Sequence, residues 1–333
     1  MVTNIQKLEV LRSMKIFNSP EGLTPDFHHA YITIGNFDGV HTGHRYIFER
    51  IQAEARQRDV KAVVMTFDPH PKMILHPERR PFYLLTTLEE KMTLLEKSGV
   101  DAVLLIPFSL DYAKITAQSF VHDILWQRLR IGKIFIGHDY TFGRGKEGNQ
   151  AFLEKHGQNL GFSVSVIDAV KSSDDAVISS TLVRRCILDG EVRKAMTLLQ
   201  RPYNIGGTVI RGYRRGNNLG FPTANLAPEK ILLPGKGVYA AWVIAENRRF
   251  DAVLNIGYNP TFGNDHLTIE AHLLDFKGDL YGKNIQVYFI DRLRDEIKFT
   301  TPENLMAQIR QDIVLAKDLL KQQSLQDLPL YFT

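Results

Sequence analysis

The stretch Tyr31-Ile32-Thr33-Ile34-Gly35-Asn36-Phe37-Asp38-Gly39-Val40-His41-Thr42-Gly43-His44 decides how the first half of the chain folds. Its first four residues are β-branched or aromatic, as in a strand. Glycines then turn the chain, and His44–Arg58 reads as a helix. Further strands are expected at Lys61–Phe67, Asp101–Pro107, Lys133–Gly137 and Ser163–Ile167. Helical patterns separate them at Leu88–Ser98, Ala117–Leu129 and Gln150–Gly161. Within Ala117–Leu129, Phe120, Ile124, Leu125 and Leu129 recur at helical spacing. Alternation of strand and helix predicts an α/β unit with a mostly parallel sheet. Such sheets bind ligands beyond the carboxyl ends of their strands, so motifs placed directly after strands carry most weight.

From about Tyr203 the pattern changes. Asn204–Arg211, Val238–Ala245, Arg249–Ile256, Leu267–Asp275 and Ile285–Leu293 read as strands with Gly-rich turns and no crossover helix between them. That predicts an antiparallel barrel or sandwich. A last helix starts with Thr301 as N-cap and Pro302 at its first position. Leu305, Ile309, Ile313, Leu315 and Leu319 give it an apolar stripe, expected to pack on the barrel. The connection Ser179–Arg201 reads as helical, from Val183, Ile187 and Leu188 and then Ala195, Leu198 and Leu199. The domain boundary is expected near 188–202, giving domains 1–188 and 189–333.

Bulk properties agree. A chain of 333 residues is long enough for about two domains. With 44% hydrophobic and 23% charged residues, the composition excludes a disordered, collagenous or coiled-coil protein. The formal net charge of +4 gives no support to nucleic-acid binding. The single cysteine, Cys186, excludes an intrachain disulfide and a Cys-rich zinc site, and a reducing cytoplasm is the expected compartment. No run of apolar residues is long enough for a membrane span, and the first residues show no basic stretch followed by an apolar one, so neither a membrane nor a secretory signal is expected.

The glycines at 35, 39 and 43 let backbone N–H groups approach a ligand, and the helix N-terminus beyond favours an anion. His41 and His44, three apart, can project from one face of the first turn. Paired imidazoles there can donate to phosphate oxygens as charge develops in a transition state. A tight strand-to-helix turn with an incidental histidine pair would give the same string. Zinc fits less well, because two histidines without a third ligand make a poor site.

The string resembles the HxGH motif of the nucleotidyltransferase superfamily, and Gly35–Gly39 resembles the FMN adenylyltransferase module of prokaryotic FAD synthetases. Thr66-Phe67-Asp68-Pro69-His70-Pro71 follows the second strand, and Gly137-His138-Asp139-Tyr140-Thr141-Phe142-Gly143-Arg144-Gly145 the fourth. Ile178-Ser179-Ser180-Thr181-Leu182-Val183-Arg184 resembles the end of the module. The resemblance implies a Rossmann-like nucleotidyltransferase domain. It implies that Gly35, Asn36, Phe37, Asp38, Gly39, Asp139, Ser179, Ser180 and Thr181 bind ATP. His41, His44 and Arg184 would be catalytic. Serine and threonine donors at a helix start suit a polyphosphate, and an arginine can pair with phosphate as a fork. A plain N-cap is the alternative for the Ser-Ser-Thr run.

In the second half, Gly207–Gly212 is followed by Arg214-Arg215-Gly216-Asn217-Asn218-Leu219-Gly220-Phe221-Pro222-Thr223-Ala224-Asn225-Leu226. Glycines suit a flap over phosphates. Thr223 and Asn225, two apart, face one side of an extended segment and offer hard oxygen ligands for Mg²⁺. Arg184, Arg211, Arg214 and Arg215 flank the expected phosphate sites.

This stretch resembles the G-F-P-T-A-N signature of riboflavin kinases. The likeness continues through Gly237-Val238-Tyr239, Asn255–Gly263, Glu270–Phe276, Leu280–Lys283 and Leu293–Glu296. It implies a six-stranded antiparallel barrel with a terminal helix. Gly212, Gly216, Gly220 and Thr223 would bind ATP, Thr223 and Asn225 would hold Mg²⁺, and Asn255 and Arg294 would contact flavin. Glu270, beside apolar Ile269 and Leu273, aligns with the family's catalytic glutamate. A partly buried carboxylate suits a general base. A solvent-facing strand residue is the alternative.

Together the motifs resemble the bifunctional riboflavin kinase/FMN adenylyltransferase family from about Tyr31 to Leu320. That implies ATP-dependent phosphorylation of riboflavin to FMN, then adenylylation of FMN to FAD with release of pyrophosphate. Riboflavin, FMN, ATP and FAD are then the partners, flavin being substrate and product. Two other readings remain at this level. One is a nucleotidyltransferase acting on another phosphate, with the barrel as a flavin-responsive regulator. The other is a non-catalytic flavin-binding protein.

Overall fold

The computed structural model describes residues 14–211, 220–258 and 267–323. The chain forms two compact units. The first comprises residues 1–82 and 86–179, the second residues 83–85 and 180–333. The helix at 180–188 therefore groups with the second unit, whereas its motif belongs with the first half of the sequence.

Five strands of the first unit lie where the sequence places them: β2 (Tyr31–Ile34), β3 (Ala62–Asp68), β4 (Ala102–Pro107), β5 (Lys133–Gly137) and β6 (Ser163–Ile167). A sixth, β1 (Lys15–Phe17), pairs with the edge of β4. It has three residues, too few for an alternation to show. The sheet is parallel throughout, in the order β1-β4-β3-β2-β5-β6. From β2 the chain builds outward through β3 and β4, then returns to place β5 on the other side of β2. The reversal between β2 and β5 opens a crevice at their carboxyl ends.

Alternating side chains serve the two faces of this sheet. Ile32, Ile34, Val63, Met65, Ile134 and Ile136 enter the larger core. Phe135, Ala62 and Ile167 pack with Ile51 and Ala55 of α1 (Thr42–Arg58) on the opposite face. After β3 comes the short α2 (Pro71–Leu75), and α3 (Leu88–Lys97) begins with a capping box between Thr87 and Glu90. The stretch expected as one helix at Ala117–Leu129 is helical but not uniform. A single turn, α4 (Ala117–Ser119), continues as a π-helix over Phe120–Arg128. Its helical spacing still delivers Phe120, Ile124, Leu125 and Leu129 to the core. The unit is completed by α5 (Gln150–Leu160).

The second unit begins with the expected helical connection, as α6 (Ser180–Leu188) and α7 (Val192–Leu199). Six strands then close into an antiparallel barrel in the order β10-β11-β8-β7-β12-β9. They are β7 (Tyr203–Ile210), β8 (Ala224–Pro228), β9 (Gly237–Ala245), β10 (Arg248–Tyr258), β11 (Leu267–Leu273) and β12 (Asn284–Arg294). Five were expected from pattern, and β8 was not, because Ala-Asn-Leu-Ala-Pro carries one large apolar residue. The terminal helix α8 (Pro302–Lys321) starts as expected, with Thr301 Oγ1 accepting from Asn304 N at 3.3 Å. Its packed face needs one correction. Leu315 is exposed (46%), and Asp312, Ala316 and Leu320 are the buried residues. Ala316 and Leu320 pack against Val238, Ala240, Trp242 and Val253, on the outer wall of the barrel. A polar residue takes the inner position because Asp312 has a partner there, Arg294.

Candidate active sites

In the first unit the motif of the opening stretch occupies the crevice at the switch between β2 and β5. The chain leaves β2 and turns with φ of 49° at Phe37, 83° at Gly39 and 41° at Val40. Left-handed conformations cost little at glycine but about 1 kcal/mol or more at a side-chain-bearing residue. The turn is held despite that cost because both strained residues are buried, Phe37 between Phe48 and His44 at ring distances of 4.9 and 5.1 Å. A Cβ at Gly35 would lie 2.9 Å from the Phe37 ring, so glycine is required for the ring to fold back. Asp38 is buried and accepts hydrogen bonds from Thr86 N at 3.2 Å and Thr86 Oγ1 at 3.3 Å.

His41 is the N-cap residue of α1, and His44 lies in its first turn. The rings stack with centroids 3.6 Å apart and planes 20° from parallel. His41 is 4% exposed and His44 half-buried. The helix N-terminus favours an anion in front of the two rings. The arrangement places two stacked imidazoles at the N-terminus of α1. The Ile178 carbonyl lies 3.5 Å from where a Gly43 Cβ would be, which brings Ile178 and the adjoining half-buried Ser179 to the start of α1. Asp139 follows β5 across the crevice and is exposed. Ser180, Thr181 and half-buried Arg184 lie on α6, within the second compact unit.

The motif after β3 carries more than a rigid loop. Burial raises the Asp68 carboxyl above its usual range, and the Lys91 ammonium opposes that shift. His70 is buried and accepts from Lys72 N at 3.2 Å through Nδ1, capping α2. Phe67 meets Phe108 and Tyr112 at ring distances of 5.7 and 6.0 Å, forming an aromatic cluster at the ends of β3 and β4. The Tyr112 hydroxyl is buried with no hydrogen-bond partner among the described residues, and burial drives its pKa up. Phe108 and Tyr112 were not singled out from sequence. Two aromatics just past the end of a parallel strand were the available signal.

In the second unit, strand register gathers the motif residues. Glu270 on β11 lies opposite Asn225 on β8 and opposite Asn255 on β10. Asn255 is in turn opposite Val238 on β9, and Val238 is opposite Arg294 on β12. Directly opposed residues project from the same face of a sheet. The row Asn225, Glu270, Asn255, Val238, Arg294 thus crosses five strands on one face. Val238 packs toward α8, so this is the outer face of the barrel. Asn225, Glu270 and Asn255 are all half-buried, while Ile269 and Ala271 point into the barrel. The Arg294 guanidinium is committed to Asp312 of α8, with Nε at 3.0 Å and Nη2 at 2.7 Å from its carboxylate oxygens. It ties the end of the row to the helix.

Beside this row is a cavity of about 420 Å³, lined by Ile210, Arg211, Thr223, Ala271, Leu273 and Tyr281 among others. Arg211 lies over the Tyr281 ring at 4.8 Å. The His272 ring nitrogen Nδ1 is 2.8 Å from the Pro222 carbonyl, which fixes the segment leading into Thr223. Thr223 therefore faces the cavity, and Asn225 belongs to the row next to it. Gly220 adopts φ of 80° with open space around it. Gly212 and Gly216, with Arg214, Arg215, Asn217 and Asn218, lie outside the described residues, as do residues 259–263 of the Asn255 motif. Thr223, Asn225 and Glu270 offer a hydroxyl, an amide oxygen and a carboxylate, a hard donor set of the kind Mg²⁺ takes together with substrate phosphates.

Comparison with known proteins matches each unit separately. Residues 23–182 match the family model for FAD synthetase and residues 199–320 that for riboflavin kinase. The bifunctional riboflavin kinase/FMN adenylyltransferase of Escherichia coli K12 is 38% identical over 288 residues, covering 86% of this chain and 91% of that protein. The protein of the same description from Listeria monocytogenes is 37% identical, covering 84% and 89%. A solved structure, described as a macrolide-efflux protein from Streptococcus pneumoniae, superposes with a TM-score of 0.81 at 32% identity, covering 92% of this chain and 99% of that one. Among the described residues here, no helix is long and apolar enough to cross a membrane.

Proposed function

The chain belongs to the bifunctional riboflavin kinase/FMN adenylyltransferase family, and from that premise we propose how its two units divide two consecutive ATP-dependent reactions. The barrel phosphorylates riboflavin to FMN, and the α/β unit adenylylates FMN to FAD and releases pyrophosphate. We assign FMN adenylylation to residues 1–188 and riboflavin phosphorylation to residues 189–333, so that α6 serves the adenylyltransferase by motif while grouping with the barrel unit. The observation that carries the reading is that the histidine pair and the glutamate row sit on different compact units.

In the barrel, Glu270 accepts the proton of the ribityl 5′-hydroxyl. That oxygen attacks the γ-phosphorus of ATP in line, and ADP leaves. The cavity lined by Arg211, Thr223 and Tyr281 holds the nucleotide, with Gly220 beside its phosphates. Thr223 and Asn225 would hold Mg²⁺, which when bound neutralises phosphate charge. Asn255 and Arg294 border the flavin side, and Arg294 does so by anchoring α8. Positioning and charge neutralisation supply most of the rate in phosphoryl transfer.

In the α/β unit, an FMN phosphate oxygen attacks the α-phosphorus of a second ATP, and the bond to pyrophosphate breaks. A phosphate monoester is largely ionised at neutral pH, so a strong base is not required. His41 and His44 donate to the phosphate oxygens that gain charge in the transition state. Gly35–Gly39, Asp139, Ser179, Ser180 and Thr181 line the ATP seat, and Arg184 assists. No covalent enzyme intermediate forms. Phe67, Phe108 and Tyr112 provide a platform for the flavin ring. The single, buried cysteine fits a reducing cytoplasm.

Product analysis of riboflavin plus ATP-Mg²⁺ tests the reading. FMN and FAD are expected in sequence. Accumulation of FMN alone, or of neither product, overturns the two-step assignment.

A further inference from the structure

Helix α3 carries a lysine on the face it buries. Lys91 is 8% exposed and sits among Met92, Leu94 and Leu95, all in the core. A buried ammonium is costly unless it is paired and hydrogen-bonded. Here it donates to Thr66 Oγ1 at 3.3 Å and to the Phe67 carbonyl at 3.1 Å, at the carboxyl end of β3. Thr66 Oγ1 in turn donates to the Asn36 carbonyl at 3.1 Å. A relay therefore runs from α3 through β3 into the glycine loop. The residues just before α3 grip the other end of that loop. Thr86 donates from N and Oγ1 to Asp38, and its hydroxyl accepts from Gly39 N at 3.2 Å.

Charge follows the same path. Burial pushes the Lys91 ammonium below its ordinary range, and the Asp68 and Asp38 carboxylates pull it back. Asp68 is shifted up by burial and down by Lys91. Two carboxylates beside a seat for phosphates would repel the substrates, and one buried ammonium offsets part of that field.

We propose that Lys91 is a positioning residue for adenylyl transfer, fixing the Gly35–Gly39 loop through Thr66 and balancing Asp38 and Asp68 beside the anion seat. The proposal rests on the assignment of FMN adenylylation to this unit. It makes no contact with substrate necessary. Its force comes from the geometry it imposes, because sub-ångström displacement of a reacting group is expensive.

The test is a double-mutant cycle in the full chain, reading FAD formation from FMN and ATP, with riboflavin phosphorylation measured in the same samples. Lys91→Met keeps the length and apolar stem and removes the charge. It should lower kcat for FAD formation by about 10²-fold while leaving riboflavin phosphorylation unchanged. In an Asp68→Asn background the same change should cost only about tenfold, because the stranded carboxylate is gone. Equal cost in both backgrounds overturns the charge balance, and wild-type FAD formation by Lys91→Met overturns the proposal outright. Thr66→Val keeps the shape and the ammonium, and tests the relay should Lys91→Met fold poorly. A loss of about tenfold is expected, and no loss sinks the relay. A wild-type chain that phosphorylates riboflavin but forms no FAD instead overturns the assignment on which the proposal rests.

Discussion

The two units build their sites by opposite routes. The α/β unit concentrates its site in one loop, with residues 35–44 running from the end of a strand into the first turn of a helix. Neighbours in sequence are neighbours in space, and the helix N-terminus adds its field to their donors. The barrel draws Asn225, Glu270, Asn255 and Arg294 from four different strands and aligns them by register. A one-residue slip of β11 would turn Glu270 into the barrel and Ile269 out of it. The first site therefore depends on its own loop and on the few side chains of β3 and α3 that brace it. The second depends on the integrity of the whole barrel.

That contrast can be broken or sharpened by variants, taken from the largest expected effect downward. Glu270→Gln should lower FMN formation by about 10²–10⁴-fold, the range for loss of a general base, while supplied FMN is still converted to FAD. Riboflavin and FMN assays on one preparation check it, and loss of both activities in a folded chain would erase the separation of sites. His44→Ala should lower FAD formation by about 10²–10³-fold, the scale for one preorganised donor, with riboflavin phosphorylation intact. Kinetics on the same two substrates check that outcome in reverse.

The next two variants probe the scaffold of the barrel site. Asp312→Ala strands the Arg294 guanidinium and should destabilise the second unit by about 3 kcal/mol. Thermal unfolding with and without riboflavin should show the loss, together with a raised KM for riboflavin. A normal midpoint would mean that α8 is not tied to the row through this pair. Thr301→Ala removes only the cap of α8 and should cost about 1 kcal/mol, seen as faster amide exchange in its first turn.

How much was legible from sequence follows from the same contrast. The Gly35–His44 loop could be read directly, because its chemistry and geometry are local. The terminal helix could be read as a helix, but its inner face could not. Leu315 fits the apolar period and is exposed, whereas Asp312 breaks the period and is buried, since its partner Arg294 lies far away on β12. Strand β8 was hidden because its residues are small and polar, and its pairing with β7 and β11 makes it a strand. Nothing in the sequence sets Lys91 apart from other helix lysines, because the oxygen atoms it serves belong to β3.

By itself the sequence determined two units of different class and the order of most of their elements, and it named candidate residues for phosphate and flavin. Backbone sterics, side-chain period and local turn chemistry suffice for that, since each acts over a few residues. The tertiary structure decided the strand order that puts the crevice between β2 and β5. It also decided the barrel register that aligns Asn225, Glu270 and Asn255, and the buried ammonium beneath the glycine loop. Each of these is a pairing between distant segments, fixed by which arrangement buries apolar surface while leaving polar groups partnered.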